Sequence, residues 1–213
     1  MPILHVPATV HGRVLIDPAR NPRGFIVGFH GYGQVADDML VELQQIPGAE
    51  HWTKASVQAL HPFYTRGDFR VVASWMTRQD RDLAITDNTA YVLDAINAVR
   101  ELHASTAPLV LVGFSQGTAM AYRAALRCPS AVTTVVALAG DIPPELKDDA
   151  TLSWPRVLVG VGDREEWYAG RKLEADLEFL RSRHVTHELV RFDGGHEWTA
   201  DFRAAVGRLL ADQ

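Results

Sequence analysis

Ser115 stands in Gly113-Phe114-Ser115-Gln116-Gly117, a Gly-x-Ser-x-Gly pattern that begins directly after the apolar run Leu109-Val110-Leu111-Val112. Such a pattern forms a sharp strand-to-helix turn that lifts the serine hydroxyl clear of a sheet. The glycines remove side chains that would strike the adjoining strand and helix. The turn also aims a helix start at the serine, so the Gln116 amide can face a developing oxyanion. A hydroxyl is a poor nucleophile at neutral pH and needs a base within hydrogen-bond reach. The base is in turn held in one tautomer by a carboxylate. Among nine histidines, His196 of Gly194-Gly195-His196 is the best placed, after a strand-like run. His30 belongs to another motif, and His5, His11 and His51 precede the core strands or lie in connections. His103 closes a helix, where a cation needs no further explanation. His184-Val185-Thr186-His187-Glu188 lacks the helical context and order of a zinc motif, so no metal site is expected. For the carboxylate, Asp163 follows the apolar run Arg156–Gly162 at once, which favours it. Glu165 and Glu166 close behind and Asp141 after the preceding run are its competitors.

A second glycine motif, His30-Gly31-Tyr32-Gly33, follows the buried run Gly24–Phe29. Its glycines let the backbone bend so that the Tyr32 amide points at a substrate oxygen, opposite that of Gln116. Each motif alone has a plainer reading: a Gly-rich turn, a capping serine, a helix-capping aspartate, an exposed histidine. Their shared position decides between the readings, because all four fall at the ends of strands.

The elements that put them there follow from hydrophobic patterning. Val10–Ile16 reads as an edge strand, Gly24–Phe29 as the first buried one, and Ser56–His61 as another, ended by Pro62. Phe63–Met76 reads equally as strand or extended loop. An amphipathic helix starts at Thr86 or Asp87 and carries Tyr91, Val92, Ala95, Ile96, Val99 and Leu102 on one face. Leu109–Val112 and its helix follow, the helix carrying a run of alanines from Ala119 through Leu126 and stopping at Cys128-Pro129. Then come strands at Thr133–Leu138 and Arg156–Gly162, a loop at Pro143-Pro144, and a helix with Leu173, Leu177 and Leu180 on one side. Glu188–Phe192 and a final helix with Phe202, Val206 and Leu209 end the chain. Strands alternating with helices predict a doubly wound, mostly parallel α/β sheet with helices on both faces. Ligands of such sheets bind at the carboxyl ends of the strands.

A chain of 213 residues, 47% hydrophobic and 22% charged, is expected to form a single domain over 1–213. A net charge of −5 with interspersed signs gives no reason to expect a nucleic-acid partner. Cys128 is the sole cysteine, which excludes an intrachain disulfide. The N-terminus has no basic segment ahead of an apolar core, and no apolar run approaches a membrane span. A cytoplasmic protein is expected. No nucleotide-binding glycine motif is intact.

Together, His-Gly-Tyr-Gly, Gly-Phe-Ser-Gln-Gly, Ala137-Leu138-Ala139-Gly140-Asp141-Ile142-Pro143, the strand-end Asp163 and Gly-Gly-His-Glu resemble the phospholipase/carboxylesterase family of α/β-hydrolases, which includes acyl-protein thioesterases and small bacterial carboxylesterases. The resemblance runs from about Phe25 to Trp198. It implies an α/β-hydrolase fold with a minimal cap and a Ser115/Asp163/His196 triad in the order nucleophile, acid, base. It also implies an oxyanion hole at Tyr32 and Gln116, no cofactor, and a small-molecule ester as substrate. Ser74-Trp75 is similar to the family's Ser-Trp segment, which places Trp75 beside the acyl pocket. Gln34 replaces the usual Asp, Asp163 is followed by Arg-Glu-Glu-Trp rather than x-x-Val-Pro, and Phe63–Met76 is short. These departures favour short-chain esters over a long-chain lysophospholipase or thioesterase. A non-catalytic binding protein on the same fold is the reading from another class.

Overall fold

The computed structural model describes residues 1–102, 107–128 and 130–213; the helix end expected at His103 and the stop at Pro129 lie outside them. Seven strands form the main sheet: β1 (Val14–Asp17), β2 (Phe25–Phe29), β3 (Thr53–Val57), β6 (Leu109–Phe114), β7 (Thr134–Leu138), β8 (Arg156–Gly162) and β9 (His187–Phe192). Their spatial order is β1-β3-β2-β6-β7-β8-β9. All neighbours run parallel except β1, which pairs antiparallel with β3. The short strands β4 (His61–Tyr64) and β5 (Val71–Ser74) form a separate hairpin.

The central strands are apolar at nearly every position because both faces are covered. Alternate residues then serve different cores. Phe25, Val27 and Phe29 of β2, with Leu109 and Leu111 of β6, pack beneath α2 (Arg81–Glu101), α3 (Gln116–Arg127) and α5 (Arg171–Ser182). Ile26, Val110 and Val112 face the other way, onto Met39 and Leu43 of α1 (Ala36–Gln44) and Phe202, Val206 and Leu209 of α6 (Ala200–Ala211). This is the α/β-hydrolase fold. From β2 the chain moves outward to β3, whereas from β6 it proceeds the other way through β7, β8 and β9. The order therefore reverses between β2 and β6, and a crevice opens at the carboxyl ends of that pair.

Several boundaries differ from the sequence reading. The first strand starts at Val14 rather than Val10, and Thr53–Val57 replaces Ser56–His61. Pro62 does not end a strand but lies within β4, on an edge where its missing N–H costs no ladder bond. Phe63–Met76 contains most of the hairpin. Helix α2 begins at Arg81, five residues before Thr86, and Leu102 is exposed at its end. Helix α3 starts at Gln116, directly after the serine turn. A short helix, α4 (Pro144–Lys147), replaces the expected loop, with proline at its first position.

Candidate active site

Ser115 sits between β6 and α3 with φ 54° and ψ −119°, a strained conformation that a non-glycine residue holds only where its surroundings impose it. The two glycines show how it is imposed. A Cβ on Gly113 would lie 2.4 Å from Thr118 Cα, and one on Gly117 would lie 2.0 Å from the Phe29 carbonyl oxygen. Only glycine lets α3 start this close to the ends of β6 and β2. The Ser115 amide donates to Leu138 O at 2.9 Å, tying the turn to β7. Gln116 is the first residue of α3, so its N–H has no intrahelical acceptor.

The loop after β2 is shaped by side chains as well as glycines. Gly31 N–H donates to Gln34 Oε1 at 2.8 Å, so the glutamine closes the turn. Gly33 N–H donates to Ala73 O and Gln34 N–H to Gly31 O. The Tyr32 amide remains, with no acceptor among the described residues. His30 is fully buried beneath this loop. Its Nε2 accepts from Ala59 N–H at 3.1 Å, which leaves Nδ1 to donate to Gly31 O at 2.7 Å. Burial pulls the His30 imidazole below its ordinary pKa, against the contrary effects of that carbonyl and of Asp38. It is a neutral structural histidine.

The Gln116 side chain joins the hairpin to the elbow. Its Oε1 accepts from Trp75 N–H at 2.9 Å, and its Nε2 donates to Met76 O at 2.9 Å. Trp75 itself does not border the cleft. It is fully buried, edge-on to Phe29, with Nε1 donating to His30 O at 2.8 Å. Trp75 lies just past the end of β5 and turns into the core, and Met76 is the residue that reaches the cleft.

The carboxylate bonded to His196 is Glu165, not Asp163. His196 Nδ1 lies 2.7 Å from Glu165 Oε2, and the Glu165 side chain is 0% exposed. The reason is the turn after β8. The amides of Asp163 and Arg164 donate to Phe192 O and Gly194 O, and that of Glu165 donates back to Gly162 O. The chain thus curls against the His196 loop, leaving Asp163 exposed and turning Glu165 inward. A Cβ on Gly162 would meet Gly194 O at 2.4 Å, a measure of how closely the two loops pack. Glu165 Oε1 accepts the amides of Trp167 at 2.8 Å and Tyr168 at 3.1 Å. Burial pushes this carboxyl up, but the two amides and His196 outweigh it and hold its pKa below the usual carboxylate range. The imidazole packs on Phe114, with ring centroids 5.0 Å apart.

Tyr32, Ser115, Gln116, Glu165 and His196 line one cleft of about 840 Å³. Asp141 and Glu166 reach it too, as do Arg81, Arg123 and Trp167, which the sequence did not mark as site residues. A serine on a strained turn, an imidazole fixed by a buried carboxylate and two free amides are the parts that acyl transfer requires.

The sheet and this constellation define an α/β-hydrolase. The chain belongs to the phospholipase/carboxylesterase family, a family of esterase-type hydrolases, whose model matches residues 11–154. That match includes Tyr32, Ser115 and Gln116 and stops short of Glu165 and His196. Esterase PE8 is 25% identical, with a TM-score of 0.73 over 95% of this chain and 99% of that one. A carboxylesterase from Mesorhizobium loti is 18% identical, with a TM-score of 0.72 over 95% and 94%. A variant of SOBER1 from Arabidopsis thaliana is 19% identical, with a TM-score of 0.71 over 89% and 98%. These last two show the fold. No curated protein matches the chain. Among the described residues, no helix is long and apolar enough to cross a membrane.

Proposed function

We propose that the chain is a serine carboxylesterase acting on short-chain esters through an acyl-enzyme, without a cofactor. Ser115 Oγ attacks the ester carbonyl while His196 Nε2 takes its proton, and Glu165 stabilises the imidazolium that forms. The amides of Tyr32 and Gln116 hold the tetrahedral oxyanion. His196 then gives its proton to the departing alkoxide, and the alcohol leaves. In the second half, His196 deprotonates a water molecule that attacks the acyl-enzyme, releasing the acid and restoring Ser115. The observation that carries this reading is the 2.7 Å bond from His196 to Glu165 in the same cleft as the strained Ser115. A reducing, cytoplasmic setting suits a chain whose sole cysteine is Cys128.

The test is p-nitrophenyl acetate and butyrate hydrolysis with the first turnover resolved. A burst of p-nitrophenol is expected, with loss of turnover in Ser115→Ala. Unchanged turnover in that variant would remove Ser115 from the reaction.

A further inference from the structure

Beyond the reacting groups, the cleft carries three arginines that the steps above do not use; Arg164 is paired with Asp193, which leaves Arg81 and Arg123. Ser115, Ala119 and Arg123 are spaced i, i+4 and i+8 along α3, and all three line the cleft. Two turns of helix separate Arg123 from Ser115 by about 12 Å along the axis. Helical side chains lean toward the N-terminus, here toward the serine.

Arg123 is a buried cation with incomplete company. Its side chain is 1% exposed. Nε and Nη2 both rest on one oxygen, Glu145 Oε1, at 2.8 and 2.7 Å, and Nη1 meets the Met120 sulfur at 3.9 Å. A guanidinium has five N–H donors, so one carboxylate oxygen and a thioether leave some of them without a partner among the described residues. Burial pulls Arg123 below its ordinary pKa despite the Glu145 bonds, and Arg81 pulls in the same direction. Arg81, in the first turn of α2, also lines the cleft. Its ion pair is with adjacent Asp82 at 3.8 Å, too long for a hydrogen bond. The Arg81 charge also acts on Glu145. The Arg81 and Arg123 charges thus both act on Glu145.

The positions of these cations and of His196 assign the parts of an ester. His196 must reach the leaving oxygen, so the alcohol portion lies toward β8 and β9. Arg81 approaches from the opposite side of Ser115, on α2, which packs against β3 and α3. The acyl portion runs that way. Resting on the esterase reading, we propose that the cleft selects esters whose short acyl group ends in a second, anionic group, the half-esters of dicarboxylic acids. Arg81 and Arg123 hold the free carboxylate. A charge-assisted, bidentate grip is what a guanidinium offers a carboxylate, and both arginines line the cleft that would admit one.

The test compares esters matched in shape. Monoethyl adipate differs from ethyl hexanoate by a carboxylate in place of the terminal methyl of the acyl chain. 4-Acetoxybutanoate differs from butyl acetate in the same way on the alcohol side. Proton release is followed by pH-stat and expressed as the kcat/KM ratio of each pair. Wild type is expected to favour monoethyl adipate over ethyl hexanoate by about tenfold or more, the worth of one hydrogen bond to a charged group. Arg81→Gln and Arg123→Lys should bring that ratio toward one. Because both rates come from the same variant, a general loss of folded protein cancels. An adipate ratio at or below one, a ratio unmoved in Arg81→Gln, or a preference confined to the alcohol-side pair overturns the proposal. Folded protein that hydrolyses none of the four esters overturns the esterase reading and this one with it. Hydrolysis without preference overturns this one alone.

Discussion

Replacing Glu165 by glutamine tests the acid through the hydrogen bonds around it. Glu165 Oε1 accepts two main-chain amides, from Trp167 and Tyr168. A glutamine must keep its carbonyl oxygen there, since an NH₂ group would confront two donors. Its NH₂ then takes the place of Oε2 and points at His196 Nδ1, 2.7 Å away in the wild type. The imidazole can meet that donor only by accepting at Nδ1, which puts its proton on Nε2. An Nε2–H cannot take the Ser115 proton. The variant thus traps the wrong tautomer with little change of shape, a change that costs about 10⁴ in kcat where an aspartate of a protease triad becomes asparagine. We expect Glu165→Gln to lose about 10³–10⁴ in kcat, with the oxyanion donors untouched. Asp163→Asn, at an exposed side chain, should change kcat by less than about threefold, the scale of a surface substitution. The assay is p-nitrophenyl butyrate hydrolysis well above KM, after circular dichroism confirms that each variant is folded. A Glu165→Gln variant within about tenfold of wild type, or an Asp163→Asn variant that collapses, would refute the reasoning.

Other outcomes follow from the same contacts. Gly117→Ala places a methyl 2.0 Å from a backbone carbonyl of β2, so urea unfolding should show a loss of about 1–3 kcal/mol or more; an unchanged midpoint would mean that the elbow yields easily. Gln116→Ala keeps its oxyanion amide but takes the acceptor from Trp75 N–H, while Met76 O keeps the Ser74 hydroxyl, and should cost about 1–3 kcal/mol of stability while lowering kcat far less than Glu165→Gln. Native interactions depress the Glu165 pKa, so the folded state binds this proton less readily than the unfolded chain does. Its contribution is present above the ordinary carboxylate pKa of about 4.3 and disappears as pH falls through the lower folded value. The difference in Tm between wild type and Glu165→Gln should therefore narrow below about pH 4. At the alkaline end, burial raises the Tyr91 hydroxyl to about 12, against its bond to Arg13 O. The folded state keeps that proton longer, so stability should fall between about pH 10 and about 12. Tyr91→Phe should flatten the fall.

The parts of the site that rest on backbone shape were legible in the residues. Gly113, Gly117, Gly31 and Gly33 mark turns that other residues do not make, and the strands before them mark where those turns lie. Ser115, His196 and the loop at Tyr32 were located from that pattern. Glu165, a competitor of Asp163 in the sequence, could not be picked out as the partner of His196, because proximity in sequence to β8 says nothing about where a turn aims its side chains. Three main-chain bonds after Gly162 carry the chain two residues further before a carboxylate faces His196. Trp75 is buried rather than beside the cleft because its indole reaches the His30 carbonyl, a contact between distant segments that the sequence does not display. The start of α2 escaped notice because Arg81 and Asp82 precede the first buried residues of the helix, Ala84 and Ile85. Arg123 lay unnoticed among alanines, since an arginine on a helix is ordinarily exposed, whereas this one is buried.

The central claim is that Ser115 becomes acylated. Mass spectrometry of protein quenched within the first turnovers of p-nitrophenyl butyrate, followed by peptide mapping, tests it directly. A butyryl adduct on the peptide containing Ser115, accumulating in wild type and absent from Ser115→Ala, is predicted. Turnover with no adduct on Ser115, or an adduct on another residue that survives the substitution, would contradict it.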